Sequence, residues 1–207
     1  MKNLGLAIIL CTIIIGFLIL YERKKWDHKR DEAEKAFWAK ENAANNVRRK
    51  DITFLNYIEV PLDSLPLIDT DDEELLSYHK IIRSLSDKRI LNLTGISNTD
   101  LKLEYGPANL PDLSAYDDNY TTLVNTLAKW GARLIALNKQ TEAVTVLEYG
   151  ITIGTDVSRN YYLLADIYRR MNRPDEIDRL IKAAEGINTM MKPSIIKKLT
   201  EIKGYCS

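Results

Sequence analysis

The sequence predicts an all-α protein, with an N-terminal transmembrane helix and stalk followed by repeated helical hairpins. Two observations lead to this prediction. The motif that begins at Leu137 returns at Met171, an offset of 34 residues, and self-similarity at such a period is typical of stacked helical repeats. Residues 4–20 carry no charged side chain, which is expected of a helix that crosses a bilayer.

The composition sets the scale and removes several classes of function. A chain of 207 residues has room for one modest domain with attachments. Lys and Arg number 29, as do Asp and Glu, so no net field favours a nucleic-acid partner. Cys11 and Cys206 lie at opposite ends of the chain and form no metal or redox pattern. We therefore expect no metal site and no cofactor.

Residues 1–21 are predicted to form the membrane anchor, with residues 4–20 in the bilayer. As a helix this stretch would extend about 26 Å, close to the lower limit for a hydrocarbon core. Tyr21 and Trp26 follow it and suit the membrane interface. A cleaved signal peptide is the alternative, but Leu18 to Leu20 offer no cleavage site of small residues.

The basic residues around this stretch predict its orientation. Lys2 precedes it, whereas Arg23, Lys24 and Lys25 follow it directly and further lysines come after them. Because positive charge favours the cytoplasmic side, we expect a single-pass protein of the cell membrane whose soluble part is cytoplasmic. An anchor that exports the soluble part remains the alternative.

Residues 22–50 are rich in charge and lack Pro and Gly, so the anchor helix is predicted to continue through them. They form either a stalk for docking or self-association, or a solvated spacer helix that rests Phe37 and Trp38 on another surface. A thin apolar stripe runs along this segment, made of Ala33, Ala36, Phe37, Ala43, Ala44 and Val47.

Residues 51–116 are predicted to be an irregular connector with one clear helix. Pro61 and Pro66 disfavour helix before them. The helix covers about 70–87, with Thr70 as its N-cap and Glu73 completing a capping box. Within 89–113 we expect a turn that leads into a short helix at Asn98 or Thr99.

Residues 117–207 are predicted to form the repeat domain, beginning with a helix capped by Asp117 or Asp118. Apolar and small residues recur at steps of three and four, the spacing of one helix face. Asn138 and Asn172 end the first helix of each unit, and Pro174 begins the next. The matched positions are Leu127, Trp130, Gly131, Leu134, Ala143, Leu147 and Gly150, then Tyr161, Leu164, Ala165, Tyr168, Ile177, Ile181 and Ala184.

These positions resemble the tetratricopeptide repeat (TPR), which has a period of 34 residues and carries W-x2-L-G-x2-Y in its first helix. The resemblance covers about a third of the chain. Thr155 and Thr189 stand where the family has a late proline, and Ile177 replaces a small residue. An unrelated helical bundle that repeats once is the alternative. A last helix over 192–202 is predicted to cap the stack.

The resemblance implies that the first helix of each unit lines a groove that binds a partner peptide. The second unit contributes basic residues and Tyr162, so we expect a partly acidic peptide held by bidentate arginine contacts. An ordinary solvated helix face is the alternative. The groove positions implied by register are Asn125, Ala128, Ala132, Ile135, Arg159, Tyr162, Asp166, Arg169 and Arg170.

Catalysis is not expected. His28 and His79 stand apart from any catalytic constellation, and we expect His79 to be exposed or half-buried on its helix. The leading hypothesis is a membrane-anchored scaffold that recruits a protein or peptide whose identity the sequence leaves open. The alternatives are a structural membrane protein that self-associates through its anchor and stalk, and an enzyme with an unrecognised site.

Overall fold

The computed structural model describes the backbone of residues 2–206 and the side chains of residues 15–206. Over these residues the chain is helical and contains no strand, which confirms the all-α fold class. A short 3-10 turn covers Pro107–Asn109. The helices are α1 (Lys2–Asn45), α2 (Glu73–Ser86), α3 (Asn98–Tyr105), α4 (Leu110–Ala136), α5 (Gln140–Thr152), α6 (Ser158–Arg170), α7 (Pro174–Gly186) and α8 (Lys192–Lys203).

The predicted anchor lies in the first part of α1. Much of it, residues 4–14, falls outside the residues whose side chains are described. Within the described part of the chain, no helix combines the length and the apolar character needed to cross a membrane.

The chain divides into two compact units. The first contains Met1–Lys50 and Asn98–Ala108, and the second contains Asp51–Ser97 and Asn109–Ser207. In the first unit, α1 continues without a break into the predicted stalk and ends at Asn45, five residues before the predicted end of the stalk helix.

Helix α3 packs against the last turns of α1. Ala44 and Leu101 are buried at 0% and 4% exposure. Glu41 accepts a hydrogen bond from the Thr99 hydroxyl at 2.7 Å and pairs with Lys102. Hydrogen bonds from these two side chains lower the pKa of the Glu41 carboxyl. The sequence predicted the short helix here, but its packing partner is visible only in the structure.

The second unit contains two helical hairpins, α4–α5 and α6–α7, whose turns are equivalent. Asn138 and Asn172 both adopt left-handed backbone conformations, with φ of 58° and 52°. The amide that follows each asparagine donates to a carbonyl of the preceding helix at 2.9 Å, Lys139 to Leu134 and Arg173 to Tyr168. These bonds satisfy carbonyl groups that the helix end leaves free, so the 34-residue offset corresponds to a repeated turn.

The interiors of the two hairpins also correspond. Trp130 and its counterpart Leu164 are both fully buried, and so is Ala165, the counterpart of Gly131. A Cβ atom on Gly131 would lie 2.5 Å from the side chain of Leu147, so the absence of a side chain permits close packing of α4 on α5.

The first hairpin begins earlier than predicted. Helix α4 starts at Leu110 rather than at 117, with Pro111 in its first turn, where a missing N–H is tolerated. The prediction that Asp117 or Asp118 caps this helix was wrong, because both lie inside it. The carboxylate of Asp117 instead accepts a hydrogen bond from the Leu93 amide at 3.1 Å.

The N-cap of α2 also differs from the prediction. Asp72, not Thr70, caps the helix, and its carboxylate accepts a hydrogen bond from the Leu75 amide at 2.9 Å. The Thr70 hydroxyl accepts one from the Asp72 amide at 3.2 Å. The helix therefore starts at Glu73, and its first turn carries Glu73 and Glu74, whose charge complements the helix dipole.

Two further segments complete the core of the second unit. Residues 51–69 are irregular but attached: the Ile58 amide donates to Ile90 O at 2.9 Å, and the Tyr149 hydroxyl donates to Glu59 O at 2.9 Å. At the other end, α8 packs on α6 and α7 and buries Ile195 and Leu199, which is the covering role that a terminal helix of a stack performs.

Candidate functional site

An open cavity of about 480 Å³ lies where α2, α4 and α6 meet. We call it the basic cavity, because three of its residues are cationic and one is a carboxylate. Its volume falls within the range typical of ligand pockets. It is lined by Glu74, Tyr78, Lys129, Ala132, Arg133, Ala136 and Arg159.

Helix α4 supplies one wall of the basic cavity. Lys129, Ala132, Arg133 and Ala136 follow one another at steps of three, one and three residues, so they share a face of the helix. The two alanines leave open space between the cations. Leu134, on the same helix, is fully buried, so the packing of α4 on the core fixes this face toward solvent.

Arg133 is held in place by α2. Its Nε lies 3.2 and 3.1 Å from the two carboxylate oxygens of Asp72, and its Nη2 lies 2.5 Å from Asp72 Oδ2. Glu74 approaches the same Nε at 3.2 Å. Hydrogen bonds with Arg133 lower the pKa of the Asp72 carboxyl, and those with Asp72 raise the pKa of Arg133. The charge of Arg133 is therefore compensated within the protein.

Lys129 and Arg159 differ from Arg133 in this respect. Both are exposed, and in the described part of the chain neither forms an ion pair with a carboxylate. Beside them, the Tyr78 hydroxyl donates a hydrogen bond to Glu74 Oε1 at 2.7 Å. Burial, followed by this contact, raises the pKa of Tyr78 to about 12, so the hydroxyl remains neutral. The cavity consequently carries two uncompensated positive charges next to an aromatic ring.

Of the nine groove positions implied by register, Ala132 and Arg159 line the basic cavity. Ala128 is only 2% exposed, and its assignment to a contact surface is therefore corrected. Ile135 and Tyr162 are half-buried and pack against the hydrophobic core. Asn125 is exposed, and its side-chain amide donates to Thr121 O at 2.8 Å in its own helix.

The remaining three groove positions form ion pairs with one another, and these compensate one of the two arginine charges. Asp166 lies 2.8 Å from Arg169 and 2.6 Å from Arg170, at spacings of three and four residues along α6. The sequence suggested that these arginines would bind an acidic peptide. In the structure they share one carboxylate of their own helix, so they offer a weaker attraction than Lys129 and Arg159.

Five of the seven residues that line the cavity were missed from the sequence: Glu74, Tyr78, Lys129, Arg133 and Ala136. Lys129 and Arg133 flank Ala132 along α4, so the surface that opens to solvent is rotated by one residue from the stripe implied by register. The spacing of these two cations, four residues apart, was a signal that could have been used. Tyr78 had no such signal, because its position depends on how α2 packs on α4.

His79 is buried, contrary to the expectation of an exposed or half-buried residue. It is 5% exposed, and its ring contacts the ring of Trp130 edge-on, with centroids 5.0 Å apart. Burial, followed by the charge of Arg83, lowers the pKa of His79. Within the described residues, no group of three His, Cys, Asp or Glu side chains is arranged to hold a metal ion.

Comparison of the chain with protein-family models, with curated proteins and with solved structures gives no match. The function is therefore inferred from the geometry of the site itself.

Proposed function

We propose that this chain is a membrane-anchored, TPR-like scaffold that recruits a partner protein by binding a short acidic segment in the basic cavity. The observation that carries the proposal is the pair of exposed cations, Lys129 and Arg159, without carboxylate partners in the described chain, on a cavity of about 480 Å³. The proposal assigns the chain no catalytic step.

The chemistry of the cavity favours carboxylates on the partner. The guanidinium of Arg159 can bind a carboxylate through two parallel N–H donors, and Lys129 adds a compact charge. Asp72 and Glu74, which already contact Arg133, show the same acid–arginine pairing within the chain. Because both free cations are exposed, the interaction should weaken as salt is added.

The binding experiment uses the full chain and a labelled peptide probe with the sequence DDEELL, which copies Asp71–Leu76. We expect saturable binding that Lys129→Glu with Arg159→Glu reduces by roughly tenfold or more, since two attractive charges become repulsive. The matched control is Arg169→Glu with Arg170→Glu, which changes the charge equally outside the cavity and should weaken binding less. Equal losses in both variants, with helicity preserved, would refute the assignment of the cavity.

The natural partner can be sought in the same way. Full-length protein captured from solubilised membranes, followed by mass spectrometry, should yield a protein with an acidic segment. That protein should be lost with the Lys129 and Arg159 variant and retained with the Arg169 and Arg170 control. A protein retained equally by both variants would be attributed to another surface.

The membrane part of the proposal rests on the uncharged sequence of residues 4–20 and on the basic residues that follow it. We place the soluble part on the cytoplasmic side. Cys206 is a free, partly exposed thiol near the end of the chain, so it can report sidedness in a Cys11→Ser variant. A membrane-impermeant maleimide should label it only after the cells are permeabilised, and labelling of intact cells would reverse the orientation.

Self-association through α1 is a second candidate. Residues 17–40 of this helix are exposed throughout, and Phe37 and Trp38 are each 54% exposed. Light scattering from the full chain in detergent would show a dimer that Phe37→Ala with Trp38→Ala dissociates. A monomer at all concentrations would leave recruitment as the sole surviving proposal.

A further inference from the structure

A second cavity, of about 400 Å³, lies between α2 and the segment that precedes it. It belongs to a different face of α2 from the basic cavity, so a ligand bound there is independent of the proposed function. It is lined by Leu67, Ile68, Asp69, Leu76, His79, Lys80 and Arg83. We propose that this second cavity binds a small aliphatic carboxylate.

The second cavity has an apolar side that the fold leaves open. Leu76 is 47% exposed, although its neighbour Leu75 is fully buried in the core. Leu67 and Ile68 are half-buried and pack against the core from the preceding segment. An aliphatic group placed among these three side chains would remove apolar surface from water, which is the main favourable contribution in small-molecule sites.

The charged residues of the second cavity favour a negatively charged ligand. Lys80 and Arg83 are exposed, and neither forms an ion pair in the described part of the chain. They lie four and seven residues after Leu76, so all three occupy one face of α2. Asp69 lies in the same cavity and leaves an excess of one positive charge. That balance fits a monoanion, and the aliphatic side fits one with an apolar body.

His79 connects the second cavity to a buried tryptophan. It lines the cavity while its ring contacts Trp130 at 5.0 Å. His79 Nε2 and Trp130 Nε1 are buried and have no hydrogen-bond partner within the described residues. The chain's other tryptophans, Trp26 and Trp38, are 68% and 54% exposed in α1. Replacing those two by Phe would leave Trp130 as a fluorescent reporter of the cavity.

The probe is 4-methylpentanoate, which joins a branched aliphatic body to one carboxylate and remains soluble in water. Titration into the full-length Trp26→Phe Trp38→Phe protein should give a saturable change in Trp130 fluorescence. Isothermal titration calorimetry should give the same dissociation constant. We expect the uncharged 4-methylpentanamide and the short anion acetate each to bind roughly tenfold more weakly. The amide lacks the negative charge, and acetate lacks the aliphatic body.

Variants that change the charge of the second cavity in opposite directions make the test specific. Lys80→Gln with Arg83→Gln should weaken 4-methylpentanoate by about three- to tenfold, since two exposed attractive charges are lost. Asp69→Asn, also exposed and in the same cavity, should strengthen it because a repulsive charge is removed. Circular dichroism checks that each variant retains its helices.

Four outcomes would overturn the proposal. Calorimetry could detect no saturable binding, the amide could bind as tightly as the carboxylate, or Asp69→Asn could weaken binding of the anion as much as the double variant Lys80→Gln with Arg83→Gln does. Binding of isopentylamine in preference to 4-methylpentanoate would also reject it, because the ligand charge would then have the opposite sign.

Discussion

The two hairpins of the second unit share their turns and interiors but differ in what covers them. The first, α4–α5, begins with a helix of 27 residues against which α2 packs. The second, α6–α7, begins with a helix of 13 residues and is covered by α8. The matched interior positions are buried in both hairpins except Ile181, which is half-buried where Leu147 is fully buried, so the interior of the repeat is largely preserved while its outer face varies.

The outer positions show what this difference means for binding. Lys129 and Ala132 of the first hairpin correspond to Leu163 and Asp166 of the second. Asp166 pairs with Arg169 and Arg170 of its own helix, whereas in the first hairpin Arg133 pairs with Asp72, the N-cap residue of α2. A repeated core therefore carries two different charge arrangements: Lys129 on α4 has no carboxylate partner in the described chain, whereas Leu163, at the equivalent position of α6, carries no charge.

The largest expected effect comes from the equivalent buried pair Trp130 and Leu164. Trp130→Ala should lower the free energy of unfolding by about 3 to 5 kcal/mol, and Leu164→Ala by about 2 to 5 kcal/mol. Urea unfolding followed by circular dichroism at 222 nm measures both. Trp130→Leu, which copies the second hairpin into the first, should cost less than Trp130→Ala. Losses below about 1 kcal/mol for both alanine variants would contradict the shared core.

Gly131 tests the close packing of α4 on α5 in the first hairpin. Gly131→Ala should lower the free energy of unfolding by about 1 to 3 kcal/mol, because the new Cβ overlaps the fully buried Leu147. The gain in helix propensity, about 1 kcal/mol, is too small to offset this overlap. Thermal unfolding provides the measurement.

The matched control for Gly131 is Gly186, in the last turn of α7, where an added Cβ would meet no atom within 4 Å. Gly186→Ala should be neutral or raise the free energy of unfolding by up to about 1 kcal/mol. If both substitutions changed stability in the same direction, the close approach of α4 and α5 would not be the reason for glycine at 131.

The left-handed asparagines test whether the two turns are energetically as well as geometrically alike. Asn138→Ala and Asn172→Ala should each cost about 1 kcal/mol, because alanine is strained at positive φ. The glycine variants should be tolerated, since glycine adopts this conformation freely. Denaturant midpoints compare the four proteins. A cost at Asn138 without one at Asn172 would show that the shorter hairpin relaxes at its turn.

Much of this fold could be predicted from local signals. Asn138, Asn172 and Pro174 marked the hairpin turns correctly, because turn geometry depends on a few neighbouring residues. The start of α4 was missed because the chain before residue 117 was predicted to be an irregular connector, although Pro111 is well accepted in the first turn of a helix. Asp117 was misassigned as a cap because its actual partner, the Leu93 amide, is distant in sequence.

The site was less predictable than the fold, for a physical reason. Register along α6 selected Arg159, which lines the cavity, but it could not show that Asp166 would pair with both Arg169 and Arg170. Nor could it show which face of α4 remains open, since that depends on where α2 packs. Gly150 illustrates the same limit: its small size accommodates the buried Asn160 amide, which donates to Leu147 O at 2.8 Å.

The smallest expected effect is a pH dependence of the free energy of unfolding that arises from His79 in α2, the helix that packs against the first hairpin. The folded protein holds the pKa of His79 below its ordinary value of 6.5, because burial and then the charge of Arg83 disfavour the imidazolium. The unfolded chain therefore binds more protons in that range. This contribution to the free energy of unfolding is fully present above pH 6.5 and is lost as the pH falls toward the folded pKa.

Urea unfolding at steps from pH 7.5 to 5 measures this loss. His79→Leu should flatten the fall, because no proton is then taken up on unfolding at that position. Arg83→Gln should make the fall shallower without removing it, since burial remains. Asp69 and Lys80, which share the second cavity with His79, stay unchanged in both variants. If the free energy of unfolding fell as steeply with pH in His79→Leu, the pH dependence would come from carboxylates elsewhere. His79 would then contribute no pH-dependent difference between the two hairpins.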